Sequence, residues 1–235
     1  IYSYISNKSR YYLSIYIRKH RFVTDGTFNM ISIAPMPDTL SENSMVPLDV
    51  LRVEVPFDKE RYEQAVQSHN YEYYLSLIEH GFLKAAKSKY IPLEHLFLLL
   101  NNFRKNGYKN EWQHKKKKFK NEDIEVILDC IFTTIDFKLV ATVRKISSHE
   151  QLIKNTVIRT LPDEVIFSKM FKDILLDEKH IIITDNSDFP RILIDLHKAR
   201  EQIFDFKLGE WSHEDGNTEA IEAQNYVNKM LSYDG

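Results

Sequence analysis

Residues 124–146 read I-E-V-I-L-D-C-I-F-T-T-I-D-F-K-L-V-A-T-V-R-K-I. Two runs, 124–133 and 137–146, alternate with a period of two, and a short Thr134-Ile135-Asp136 segment joins them. That period marks strands with one buried face, so the stretch predicts a long β-hairpin. Cys130 sits inside it among apolar neighbours and reads as a small buried hydrophobe, not a reactive thiol. As the only cysteine it can make no disulfide within the chain, which points to a reducing compartment.

Immediately upstream stands E-W-Q-H-K-K-K-K-F-K-N-E-D, residues 111–123. From 104 to 120, Arg104, Lys105, Lys109, Lys115, Lys116, Lys117, Lys118 and Lys120 oppose Glu111 alone, a local charge of +7 in a chain of −2. Two readings compete. The bland one is an exposed connector between a buried helix and the hairpin, because lysine is costly to bury and also guards strand edges. The sharper one is a phosphate-binding patch of Trp112, Lys115, Lys116, Lys117, Lys118 and Lys120, with Tyr108, Trp112 and Phe119 available to stack on unpaired bases. The sequence pI near 6.5 argues against a dedicated nucleic-acid domain.

Further upstream the pattern is first strand-like, then helical. Tyr11, Leu13, Ile15 and Ile17 alternate with Tyr12, Ser14, Tyr16 and Arg18, and Asn7-Lys8-Ser9 can turn this strand back on residues 2–6. Short strands near residues 29–34 and 50–55 complete an antiparallel N-terminal sheet. Asp58 then caps a helix containing Tyr62, Ala65 and Val66; Tyr74, Leu75 and Ile78 continue the pattern to a stop at Gly81. Pro92 opens the clearest helix, with Leu93, Leu96, Phe97, Leu100 and Phe103 on one stripe. Leu98 and Leu99 widen that stripe until the helix reads as central, and Asn106-Gly107 ends it.

Downstream of the hairpin, a helix is expected from Pro162 with Val165, Ile166, Met170 and Phe171 inward, and a short buried strand over 181–184. Residues 189–206 fit both periods, and a last helix with a thin apolar face spans about 218–231. The class is α+β: N-terminal antiparallel strands, a central helical segment, then a long hairpin with further helices. All of it reads as one domain, residues 1–235, with internal seams that separate a β-rich part (1–57), a helical part (58–107) and an α+β part (108–235).

No run approaches the ~18 apolar residues of a membrane span. The start I-Y-S-Y-I-S-N-K-S-R has no basic stretch followed by an apolar one, so the expectation is a soluble cytoplasmic protein. Six glycines supply no phosphate loop, and the nine histidines show no H-x-x-x-H or H-E-x-x-H spacing. No catalytic residue, cofactor or metal is therefore nominated. Pro162-Asp163 with Asp177-Glu178-Lys179 mimics the two carboxylates and lysine of a metal-dependent nuclease, but both acids fall where capping and turn residues are expected.

Residues 200–235 carry the opposite sign, −5, and set Trp211 among Glu210, Glu214 and Asp215. A tryptophan in an acidic setting suits an interface anchor for a basic protein, and Tyr12 and Tyr16 on one strand face suit protein contact as well as RNA stacking. The reading preferred from sequence is a non-catalytic protein-binding protein of the immunity type, which neutralises a bacterial toxin or effector. A nucleic-acid-binding protein using Lys115–Lys118 is the alternative, and a defence nuclease the third.

Overall fold

The computed structural model describes residues 14–20, 22–38, 40–68, 70–133, 136–162 and 164–209. It divides into two compact units, one of residues 16–108 and one of residues 1–15 with 109–235. The expected strand over 2–6, the last helix over 218–231, and Tyr12, Asp163, Glu210, Trp211, Glu214 and Asp215 lie outside the described residues.

Residues 14–18 are helical (α1), not the second half of a strand. In Y-Y-L-S-I-Y-I nearly every position is apolar or aromatic, so either period can be read from it. The ring contact between Tyr16 and His20, 5.5 Å between centroids, is the i,i+4 proximity that only a helix gives.

The unit of residues 16–108 holds β1 (Met30–Met36), β2 (Ser44–Val46) and β3 (Val50–Pro56), in the order β1-β3-β2. β2 runs antiparallel to β3, closing through Leu48 and Asp49, both at positive φ. β1 pairs with β3 in parallel, which corrects the all-antiparallel expectation. β3, joined to β2 by the short turn at Leu48 and Asp49, takes the central place, and β1 lies along its other edge.

Three helices follow: α2 (Lys59–Gln67), α3 (Glu72–Ala86) and α4 (Leu93–Lys105). Asp58 caps α2 as expected, its carboxylate accepting from Arg61 N at 3.0 Å. Gly81 does not end a helix. It lies within α3 against β1, where an added Cβ would come 2.5 Å from Ile33 Cδ1, so a glycine permits the close packing. α4 begins and ends where the sequence places it, with Gly107 at φ 64, and buries Leu96, Leu99, Leu100 and Phe103. Leu98, however, is exposed, so the stripe is narrower than Leu98-Leu99 suggested.

The other unit is dominated by sheet. β4 (Asn110–Phe119), β5 (Ile124–Phe132), β6 (Phe137–Lys145) and β7 (Gln151–Thr160) form an antiparallel meander in chain order. The predicted hairpin is β5–β6, register Phe132↔Phe137 to Ile124↔Lys145. The lysine run is not a connector: it is the ten-residue edge strand of this sheet.

A second antiparallel meander comprises β8 (Asp173–Leu176), β9 (His180–Thr184), β10 (Pro190–Asp195) and β11 (Phe206–Leu208). Among the described residues the helices of this part are α5 (Glu164–Phe167), to which the helix expected from Pro162 is confined, and α6 (Leu196–Arg200). The ambiguous run 189–206 thus contains both answers in succession, a strand and then a helical turn capped by Asp195.

One face of the first meander is the core. Ile124, Val126, Leu128, Cys130 and Phe132 of β5 and Phe137, Leu139, Ala141 and Val143 of β6 are all buried there. Phe137 stacks on Phe167 and Phe171, with centroids 3.7 and 5.6 Å away. No described helix is long and apolar enough to cross a membrane.

Candidate interaction face of the four-stranded sheet

Because side chains alternate along a strand, the lysine run is split in two. A bulge at His114 sets the phase. Lys116 and Lys118 stand opposite Ile127 and Glu125, whereas Lys115 and Lys117 stand opposite Leu128 and Val126 and share the core-side phase.

Lys115 and Lys117 turn to the second meander. Asp173 of β8 receives both ammonium groups, at 3.2 and 3.3 Å, and Lys117 Nζ also donates to the Ile174 carbonyl at 2.6 Å. Burial raises the Asp173 carboxyl, but the Ile174 N–H and the two lysines outweigh it and hold it below the ordinary value.

Lys116 and Lys118 turn to the outer face. Glu125 lies beneath them with 4% of its side chain exposed, and its Oε1 receives Lys116 Nζ at 2.9 Å and Lys118 Nζ at 3.7 Å. Arg144 on β6, directly opposite in register, donates Nε to the other oxygen. Burial alone would push this carboxyl up; the hydrogen bonds from Lys116 and Arg144 win and hold it below the ordinary value.

A second buried acid repeats the arrangement at the other end of the hairpin. Asp136, with 5% of its side chain exposed, receives Arg159 Nε at 2.7 Å and Lys138 Nζ at 3.3 Å. Its Oδ1 accepts from Thr133 Oγ1 at 2.9 Å. Burial again raises this carboxyl, and Arg159 and Thr133 bring it below the ordinary value.

The register assigns the rest of the outer face. Ile127, Asp129 and Ile131 of β5, Val140 and Thr142 of β6, and Thr156 of β7 lie between the two acid-centred clusters, with Gln151 and Lys154 on the β7 margin and Glu111 and Gln113 on the β4 margin. Ile127, Val140 and Thr142 are buried although they sit on the outward face. Long lysine and arginine stems from adjacent strands cover such positions while keeping their charged ends in water.

The aromatic residues beside the lysines do not share this face. Trp112 pairs with Cys130 and Phe119 with Ile124, both in the core phase, and the Trp112 ring lies 6.2 Å from Phe137. Tyr108 is stacked on Tyr71 at 5.0 Å and donates its hydroxyl to Glu72 Oε1 at 2.6 Å. Lys120 lies in the 3-10 turn (Lys120–Glu122) after β4 and is exposed. His114, the bulge residue, meets the Phe171 ring edge-on at 4.7 Å.

Of the remaining candidates, Tyr16 packs on Phe103 at 4.8 Å from a helix, so it presents no strand platform. Asp177 accepts from the backbone N–H groups of Lys179 and His180, at 2.7 and 2.6 Å, and so forms the turn between β8 and β9. Among the described residues no group of three or more His, Cys, Asp or Glu is placed to hold a metal ion.

Sequence reading missed Glu125, Asp136, Lys138, Arg144 and Arg159. A signal existed: Glu125 and Asp129 in one run, and Lys138 and Arg144 in the next, all fall on the phase opposite the apolar residues. No protein-family model matches the chain, and no curated protein or solved structure matches it significantly.

Proposed function

We propose that this chain is a non-catalytic protein-binding protein and that the outer face of β4–β7 is its contact surface. The observation that carries this reading is the make-up of that face. Ile127, Asp129, Ile131, Val140, Thr142 and Thr156 form a low centre, and Lys116, Lys118, Arg144, Lys138 and Arg159 form a charged margin held in place by buried Glu125 and Asp136. A largely uncharged centre inside a charged rim matches the usual anatomy of a protein interface. Cations fixed before binding lose less side-chain entropy on complex formation. Blocking a toxin or effector, in the manner of an immunity-type inhibitor, would need only such a surface and no chemistry.

A nucleic-acid partner is the second reading, favoured by the outward position of Lys116 and Lys118. It is weaker because every lysine from Lys115 to Lys118 already meets a carboxylate, which reduces the counterion release on which phosphate binding depends. Trp112 and Phe119, the rings that would stack on bases, belong to the other face.

The test places a large uncharged side chain on the β7 side of the face, midway along it. Thr156 is half-buried there beside Val140, so Thr156→Trp obstructs contact without opening a cavity or changing the charge. Tagged full-length protein expressed in its native host should retain one stoichiometric protein partner, and the Thr156→Trp variant, with an unchanged circular dichroism spectrum, should lose it. Equal capture by both proteins would overturn the reading.

A further inference from the structure

We infer that the outer face of β4–β7 is built for an acidic protein segment, bound in extended form across the two acid-centred cation clusters. This rests on the protein-binding reading and adds the chemistry of the partner. A simple charge count does not favour either sign strongly, because Glu111, Glu125, Asp129 and Asp136 accompany the six cations Lys116, Lys118, Lys138, Arg144, Lys154 and Arg159. Depth decides the matter. The two clamping carboxylates are 4 and 5% exposed, whereas the cations above them are 31 to 51% exposed. Within each cluster an approaching partner therefore meets ammonium and guanidinium groups first, with the clamping acid beneath; the other two acids, exposed Glu111 on the β4 margin and half-buried Asp129 between the clusters, are not covered in this way.

The buried acids do not exhaust these cations. Each lysine ammonium has three donors and each guanidinium five, and the contacts of Lys116, Lys118, Lys138 and Arg144 to Glu125 and Asp136 use a minority of theirs. The remaining N–H groups can donate to a partner's carboxylates, while Glu125 and Asp136 fix where the cations stand. In the register, Arg144 and Lys138 are six residues apart on β6, or about 20 Å at the rise of a strand. An extended segment with acidic residues at a similar separation would reach both clusters and lay its intervening side chains over Ile127, Val140 and Thr142. The region has no aromatic ring in its register, which suits a polypeptide better than unstacked bases.

The experiment uses the full chain and a synthetic peptide with two glutamate pairs about six residues apart (~20 Å when extended). The same peptide with glutamines, and an oligo-dT strand, serve as comparisons at low and at physiological salt. The glutamate peptide should bind at least about tenfold more tightly than its glutamine counterpart. Lys116→Gln/Lys118→Gln should lose about tenfold, and Lys118→Gln alone should lose part of that. Lys115→Gln/Lys117→Gln, on the other phase of the same strand, should bind as the wild type does. Equal binding of the two peptides, equal loss in both double variants, or tighter binding of oligo-dT on this face would overturn the inference. If the peptide fails while Thr156→Trp still abolishes capture of the native partner, the acidic chemistry falls and the protein-binding reading stands. If Thr156→Trp also leaves capture intact, both fall.

Discussion

Each unit contains a dense charge cluster, and two of these, one from each unit, are inverted in sign. On β4–β6, a buried carboxylate, Glu125, is overlaid by Lys116, Lys118 and Arg144. Between α3 and α4, a guanidinium is enclosed by acids: Arg104 donates Nε to Glu72 at 3.0 Å and Nη1 to Glu79 at 2.7 Å. Asn101 and Tyr108 complete that shell, through Arg104 Nη1 and Glu72 respectively. The Arg104 guanidinium is pushed up first by Glu79 and then by Glu72, and Arg104 in turn draws Glu72 down.

Side-chain length explains the inversion. A glutamate on a central strand lies close to the sheet while longer cations arch over it from neighbouring strands; between two helices the long arginine spans the gap and the shorter acids receive it. The difference fixes which sign faces water. In the helical cluster the most exposed charged member is Glu72, and in the sheet cluster it is Lys118.

Removing the centre of each cluster should therefore have unequal consequences. Glu125→Ala leaves three cations crowded without their acid and a hole beneath them, and should cost about 3 kcal/mol. Arg104→Ala leaves Glu72 and Glu79 on a wetter helix surface, and should cost about 1 to 2 kcal/mol. Urea unfolding curves measure both. A larger loss for Arg104→Ala would mean that the helix cluster, not the sheet cluster, is the better desolvated of the two.

The reasons for this pattern were unevenly legible in the amino-acid order. The β5–β6 hairpin could be read because apolar residues repeat at every second position on both strands, and Asp58, Pro92 and Gly107 marked helix ends through local backbone chemistry. The strand nature of β4 was hidden: in K-K-K-K the alternation exists only in the partners, Asp173 for one phase and Glu125 for the other, and these are distant in sequence. The same holds for Gly81, whose role depends on Ile33 of β1 and not on its neighbours. Local propensity was visible, while pairings set by tertiary register were not.

Acid should distinguish the clamped carboxylates from ordinary ones. Glu125, Asp136 and Asp173 are all held below their usual values in the fold. Their contribution to stability is thus complete above the unfolded values of about 3.9 to 4.3 and is lost as pH falls through the lower folded values. Unfolding free energy should drop steeply below about pH 4, where the unfolded chain binds more protons. Glu125→Gln should make that drop shallower, since one of the carboxylates held down in the fold no longer titrates. An unchanged slope in this variant would show that Glu125 is not held below its ordinary value.

The smallest effect should come from the most conspicuous residue type. Lys118 is half exposed and stands 3.7 Å from Glu125 Oε1, which Lys116 approaches to 2.9 Å. Lys118→Gln should change stability by no more than about 0.5 kcal/mol, as expected of an exposed ion pair. It should nevertheless weaken binding of the acidic peptide, because the outermost cation contributes more to a partner than to the fold. A stability loss near that of Glu125→Ala would instead make Lys118 part of the clamp, and the lysine run would then be structural reinforcement of an edge strand rather than a surface held ready for contact.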